Sequence, residues 1–157
     1  MKMTPRLLAV ALLAAPAFAA DSPRLAVWRA AELTQRGTEL AKHVGEDHSS
    51  RETLADFGHH RFRQLYRDAD GLPEQHDDIV DVVIVQSGES TLVVGGTMIG
   101  KRASGGIGEF LGTRPEGGER RQIAAGDIVH IPAKIPHAFL VAPGKHVTYV
   151  LVKFPAE

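Results

Sequence analysis

The stretch that decides the fold is Gly126-Asp127-Ile128-Val129-His130-Ile131-Pro132-Ala133-Lys134-Ile135-Pro136-His137-Ala138-Phe139. Gly126-Asp127 is a turn signal, and Ile128 to Ile131 is a short apolar run of strand type. Pro132 and Pro136 each fix φ and remove a backbone donor, so the chain has to leave the ladder between them. A new strand then opens at His137, with its backbone well determined. His130 alternates with Val129 and Ile131 and is expected to point away from them.

The rest of the chain is consistent with short strands of this kind. The chain has 157 residues, no cysteine, eight histidines and a formal net charge of −1. That length suits one domain able to bury a core without staples. The absence of cysteine excludes disulfides, thiolate zinc sites, iron–sulfur clusters and a cysteine nucleophile. Near-neutral charge argues against nucleic-acid partners, which require a basic face. The histidines are what remains to be assigned, and histidine is the commonest metal ligand.

Lys2 and Arg6 precede an uncharged run from Leu7 to Ala20 that contains Ala17-Phe18-Ala19. This is the layout of a secretory signal peptide, and the run is short for a membrane span. Residues 1–19 are therefore read as a signal, cleaved after Ala19 or Ala20, giving an exported, periplasmic or secreted, protein with no membrane insertion after cleavage. Residues 20–52 follow as an N-terminal helix and linker. Ser22-Pro23 supplies a start signal, and the apolar positions Leu25, Trp28, Leu33, Leu40 and Val44 predict a helix over 25–43, weakened by Gly37. Gly45 to Arg51 reads as a loop.

Residues 53–157 read as an all-β unit, with strands expected at 54–57, 60–67, 72–76, 81–86, 90–94, 119–124, 127–132, 137–142 and 146–154. Ser87-Gly88 and Gly95-Gly96 are expected hairpin turns. The glycine-rich segment 100–118 has neither the spacing nor the following helix of a P-loop and is read as a loop over a barrel rim. Along 60–67, His60, Phe62, Gln64 and Tyr66 alternate with Arg61, Arg63 and Arg67. The arginines have to face water, so His60 is expected to face inward, a further polar group near the interior cavity that either binds a metal or supports a ligand by hydrogen bonding.

The segment 126–139 resembles the second conserved motif of the cupin superfamily. Gly126, Pro132 and His137 match at the family's spacings, with Lys134 in place of the inner glycine. The first cupin motif is present in altered form: His76 aligns with its second histidine, Asp81 with its glutamate, Gly88 with its closing glycine, and Glu74 stands where the first histidine would be. The other register makes His76 and Asp78 the histidine pair but puts the acid at Val82 or Val83. The resemblance covers about residues 57 to 154. It implies a small antiparallel jelly-roll (cupin) barrel with an N-terminal α-helix, and a divalent metal (Fe, Mn, Zn or Ni) held by His76, Asp81, His137 and Glu74. It also implies a small-molecule ligand or substrate and a homodimer. Parity agrees with a shared interior: Glu74 and His76 share a face, as do Asp81, Val83 and Val85, and His137, Phe139 and Val141. A metal-dependent enzyme, a non-catalytic binding or sensing module, and an interaction protein with a vestigial site all fit these residues. No catalytic residue is assigned.

Overall fold

A computed structural model describes residues 25–157; the expected signal peptide lies outside them. The described chain opens with α1 (Ala30–Leu40). The strands follow as β1 (Ser49–Asp56), β2 (Arg61–Arg67), β3 (Glu74–His76), β4 (Ile79–Val94), β5 (Thr97–Ile99) and β6 (Arg102–Ala103). They continue as β7 (Glu109–Leu111), β8 (Arg114–Glu116), β9 (Glu119–Ala124), β10 (Ile128–Ile131), β11 (His137–Leu140) and β12 (Val147–Pro155). Among the described residues no helix is long and apolar enough to cross a membrane.

The main sheet is antiparallel and curls into a jelly-roll barrel, with neighbours in the order β1-β2-β12-β4-β11-β3-β7-β6 and with β9 and β10 also on β4; β5 and β8 form a separate pair. The core is the inner face of this barrel. Leu65, Val83, Val85, Leu92, Phe139 and Tyr149 pack there with five further buried apolar residues. These residues alternate along their strands, as a sheet with one buried face requires.

Strand β4 joins the two halves of the barrel. The sequence reading put a hairpin at Ser87-Gly88, but the strand runs through it. Residues Ile79 to Gly88 pair with β12, and Ile84 back to Asp81 pair with β10. Glu89 to Val94 then pair with β9, and Thr91 to Val94 with β11. The register against β12 slips just before this pair, between Val85 and Ser87, leaving Gln86 as the extra residue, and Gly88 takes φ 73°. The turn dipeptide sits beside a bulge at Gln86, and around this point the strand changes partners. Any side chain at Gly88 would collide with the His146 carbonyl. At Gly95-Gly96 the chain does turn, yet the following β5 pairs with β8 rather than folding back on β4.

Three other expectations are corrected. The helix begins at Ala30, five residues later than the pattern suggested, because Arg29 is extended and Trp28 packs against Phe62 with ring centroids 5.0 Å apart. Gly37 lies in this helix where the sheet approaches closely: a Cβ there would lie 3.1 Å from Thr148 Cγ2. The expected loop over 45–51 gives way to β1 at Ser49, where Ser50 Oγ donates to the Leu40 carbonyl (2.6 Å) and ties the strand to the helix. The glycine-rich segment 100–118 is not one loop; it contains β6, β7 and β8, and β7 pairs with β3.

The largest correction concerns β2, whose faces are reversed. Phe62 packs on Trp28, and Gln64 Nε2 donates to the Leu33 carbonyl (2.7 Å), so this face lies under α1. Leu65 belongs to the barrel core, and Arg61 and Arg63 line the barrel cavity. Alternation distinguishes two faces but does not say which one a helix covers. Here the helix takes the face with the aromatic residues, and the arginines are turned inward.

Candidate metal centre

Two cross-strand pairs set the site. His137 opens β11 opposite Glu74 of β3, and His76, two residues on, shares Glu74's face. Asp81 enters from β4 beside the end of β12. Pro132 and Pro136 bracket the connection from β10 to β11, and its turn is closed by Lys134 N–H donating to the His76 carbonyl (2.6 Å). Lys134 adopts φ 67° there. It holds the left-handed conformation a glycine would take without strain, so replacing glycine with lysine leaves His137 in place.

His76, His137 and Asp81 are 4%, 3% and 2% exposed. His76 Nε2 lies 3.4 Å from Asp81 Oδ2 and 3.8 Å from Glu74 Oε2. His137 Nε2 lies 3.6 Å from both Asp81 Oδ2 and Glu74 Oε1. Two ligand atoms bonded at about 2.1 Å to a tetrahedral ion are about 3.4 Å apart. The four histidine–carboxylate separations are close to that spacing. Glu74, His76 and His137 each offer one ligand atom, and these lie within 4.8 Å of one another.

The histidines are oriented for coordination. His137 Nδ1 lies 3.1 Å from the Ile135 carbonyl, which can only accept, so Nδ1 carries the proton. Its Nε2 is buried without a hydrogen-bond partner. His76 Nδ1 donates to Glu109 Oε2 at 2.6 Å, which likewise leaves Nε2 facing the cluster. A histidine whose far nitrogen is held by a carboxylate or carbonyl is the usual arrangement behind a metal ligand. The donor set of two imidazoles and two carboxylates suits a divalent ion of the Fe, Mn, Zn or Ni kind.

A further cation stands inside the cluster. Lys153 Nζ is 2.8 Å from Asp81 Oδ1, 3.1 Å from Oδ2 and 2.9 Å from His76 Nε2. Burial pushes the Glu74 carboxyl up, but His137, Lys153 and His76 outweigh it and hold it at about 2. Asp81 is likewise lowered by His137, His76 and Lys153 against the effect of burial. Burial pulls His137 down, while Asp81 and Glu74 raise it to about 9.

Of the sequence-derived candidates, the structure brings Glu74, His76, Asp81 and His137 together. His60 does not join them. It is exposed at the mouth of the cavity, stacked on Phe57 with ring centroids 5.0 Å apart. Its expected inward position depended on the face of β2 that the structure reverses. His130 is exposed, as expected. Sequence reasoning missed Glu109, Lys153, Arg61 and Arg63. Lys153 could have been found, because Tyr149, Leu151 and Lys153 share one face of β12. Glu109 gave no comparable signal, since it lies within the glycine-rich segment.

No family profile matches the sequence, and no curated protein matches it. Solved structures do. KdgF from Halomonas sp. is 19% identical, with 71% of this chain and 83% of that chain covered, at a TM-score of 0.50. The plu4264 protein from Photorhabdus luminescens is 10% identical over 71% of this chain and 78% of that one, also at 0.50. A cupin 2 conserved barrel domain protein from Rhodopseudomonas palustris is 24% identical over 69% of this chain and 62% of that one, at 0.47. The chain spans about two thirds or less of the length of several proteins it matches. The described residues have a cupin-type barrel fold, and it carries a histidine–carboxylate cluster capable of holding a metal.

Proposed function

We propose that this cupin binds one divalent metal through Glu74, His76, His137 and Asp81 and acts on, or holds, a small molecule in the adjoining cavity. The observation that carries the reading is the paired histidine geometry. Both Nδ1 atoms are bonded away from the cluster, and both Nε2 atoms face the two carboxylates. A bound ion would supply Lewis acidity toward a small molecule entering from the cavity. This chain's residues would do the rest: Glu109 fixes the His76 ring, Ile135 fixes the His137 ring, and Lys153 offers an ammonium at the inner end of the cavity. Export rests on the sequence of residues 1–19, and dimerisation rests on the family resemblance.

A second reading has one observation behind it. Lys153 Nζ lies within hydrogen-bond distance of His76 Nε2 and Asp81. A module that uses this ammonium as its permanent cation would bind ligand without metal and without turnover. Calorimetric titration with Mn(II) and Zn(II) separates the two: saturable uptake supports the metal centre, and its absence leaves the lysine-filled module.

A further inference from the structure

Strand registers place a row of charged residues across the inner face of the barrel. Arg61 of β2 is opposite Asp56 of β1 on one side and Lys153 of β12 on the other, and Lys153 is opposite Asp81 of β4. Arg63 lies two residues further along the same face of β2, between Thr53 and Leu151. Like charges directly opposite across a pair of strands are destabilising. Lys153 is paired with Asp81, but among the described residues neither arginine makes an ion pair. Among the described residues the arginines in ion pairs are Arg36, Arg51, Arg114 and Arg121. Even Asp56, opposite Arg61, makes no ion pair with it.

Arg61 Nε is buried without a hydrogen-bond partner. Burial, then the nearby charges of Arg61 and Arg51, lower the pKa of Arg63 and outweigh the opposing charges of Glu109 and Glu74. Both arginines line a cavity of about 650 Å³ that also reaches Glu74, His76 and Lys153. That volume is within the range of small-molecule sites. The acids on the cavity wall are already engaged, with Glu109 bonded to His76, Glu74 beside His137, and Asp56 accepting from the Gly58 N–H (2.9 Å). A concave site lined by two arginines without ion pairs lacks one thing, a planar or tetrahedral oxyanion, which arginine forks bind in bidentate fashion.

We propose that Arg61 and Arg63 are the recognition site for a small molecule carrying a carboxylate or a phosphate, held with its other end toward the Glu74–His76–His137 cluster. The proposal rests on the cavity being the working site, as above, but not on the metal. It is tested by calorimetry and thermal shift with malonate, succinate, inorganic phosphate and the neutral malonamide, on metal-free and Mn(II)-loaded protein. The proteins are wild type, Arg61→Gln, Arg63→Gln, the double glutamine variant and Arg63→Lys.

Wild type is expected to bind a carboxylate or phosphate probe but not malonamide, and which probe binds best distinguishes the two anion classes. Each glutamine variant should weaken that binding by about tenfold or more, and lysine should recover part of it. Without ligand the double variant should melt no lower than wild type, because it loses mutual repulsion; a purely structural role for the arginines predicts a lower melting point. Equal anion binding by wild type and the double variant, or no binding of any anion by wild type, overturns the proposal. Arginine-dependent anion binding without metal uptake would overturn the metal reading alone, and metal uptake with arginine-independent anion binding would overturn this proposal alone.

Discussion

Lys134 and Glu109 show how much individual residues contribute to the site. Lys134 occupies a left-handed backbone position, which costs a side-chain-bearing residue about 1–2 kcal/mol, and glycine gives back part of that in unfolded-state entropy. Lys134→Gly is therefore expected to stabilise the protein by about 0.5–1 kcal/mol in urea melts without altering metal uptake; a loss of stability would show that the lysine side chain makes a compensating contact. Glu109 holds the His76 ring by a 2.6 Å hydrogen bond without facing the cluster itself. Glu109→Gln should weaken metal affinity about 10- to 100-fold, measured by competition with a chelator, while leaving stoichiometry intact. The four cluster residues were legible because spacing between turns and prolines is local information. Glu109 was not, because its role arises only when a short strand from a glycine-rich segment pairs beside His76, and that pairing is a long-range event.

At the scale of elements, strands were legible as strands, but their faces and partners were less so. The alternation in β2 was read correctly and its direction wrongly, since α1 buries the face bearing Phe62 and Gln64. The dipeptide Ser87-Gly88, which suggests a hairpin, instead follows a bulge at Gln86 where β4 passes from one half of the barrel to the other. A turn dipeptide specifies local backbone, not which strands pair beyond it. Gly88→Ala combines left-handed strain with a collision against the His146 carbonyl and should destabilise the protein by on the order of 3 kcal/mol. Gly95→Ala is the control: its φ is 77°, but a Cβ there meets nothing within 4 Å. It should cost only the backbone strain, about 1–2 kcal/mol. Equal costs in denaturant melts would remove the close approach of β4 and His146 from the account.

At the scale of the whole molecule, the cluster couples stability to pH. In the metal-free protein His137 rises from 6.5 to about 9, so its stabilisation is full below 6.5 and is lost as pH rises through 9. The Glu74 carboxyl, held at about 2, contributes stability above its ordinary 4.5 that is lost as pH falls through 2. Asp81 acts in the same direction as Glu74. Metal-free protein should therefore be most stable between about 4.5 and 6.5 and lose on the order of 3 kcal/mol on the alkaline side. A bound metal requires the neutral imidazole, so apparent metal affinity should rise about tenfold per pH unit up to the His137 value. Saturating metal should remove the alkaline loss in urea melts. An alkaline limb unchanged by metal would mean that His137 is not a ligand.

The most direct measurement is elemental analysis of the purified protein, as isolated and after reconstitution with Mn(II), Fe(II) or Zn(II), alongside His76→Ala and His137→Ala. The convergence of the two Nε2 atoms on Glu74 and Asp81 predicts about one divalent ion per subunit in wild type and none in either variant, with circular dichroism showing both variants folded. Wild type that takes up no metal, or variants that take up as much as wild type, would contradict it.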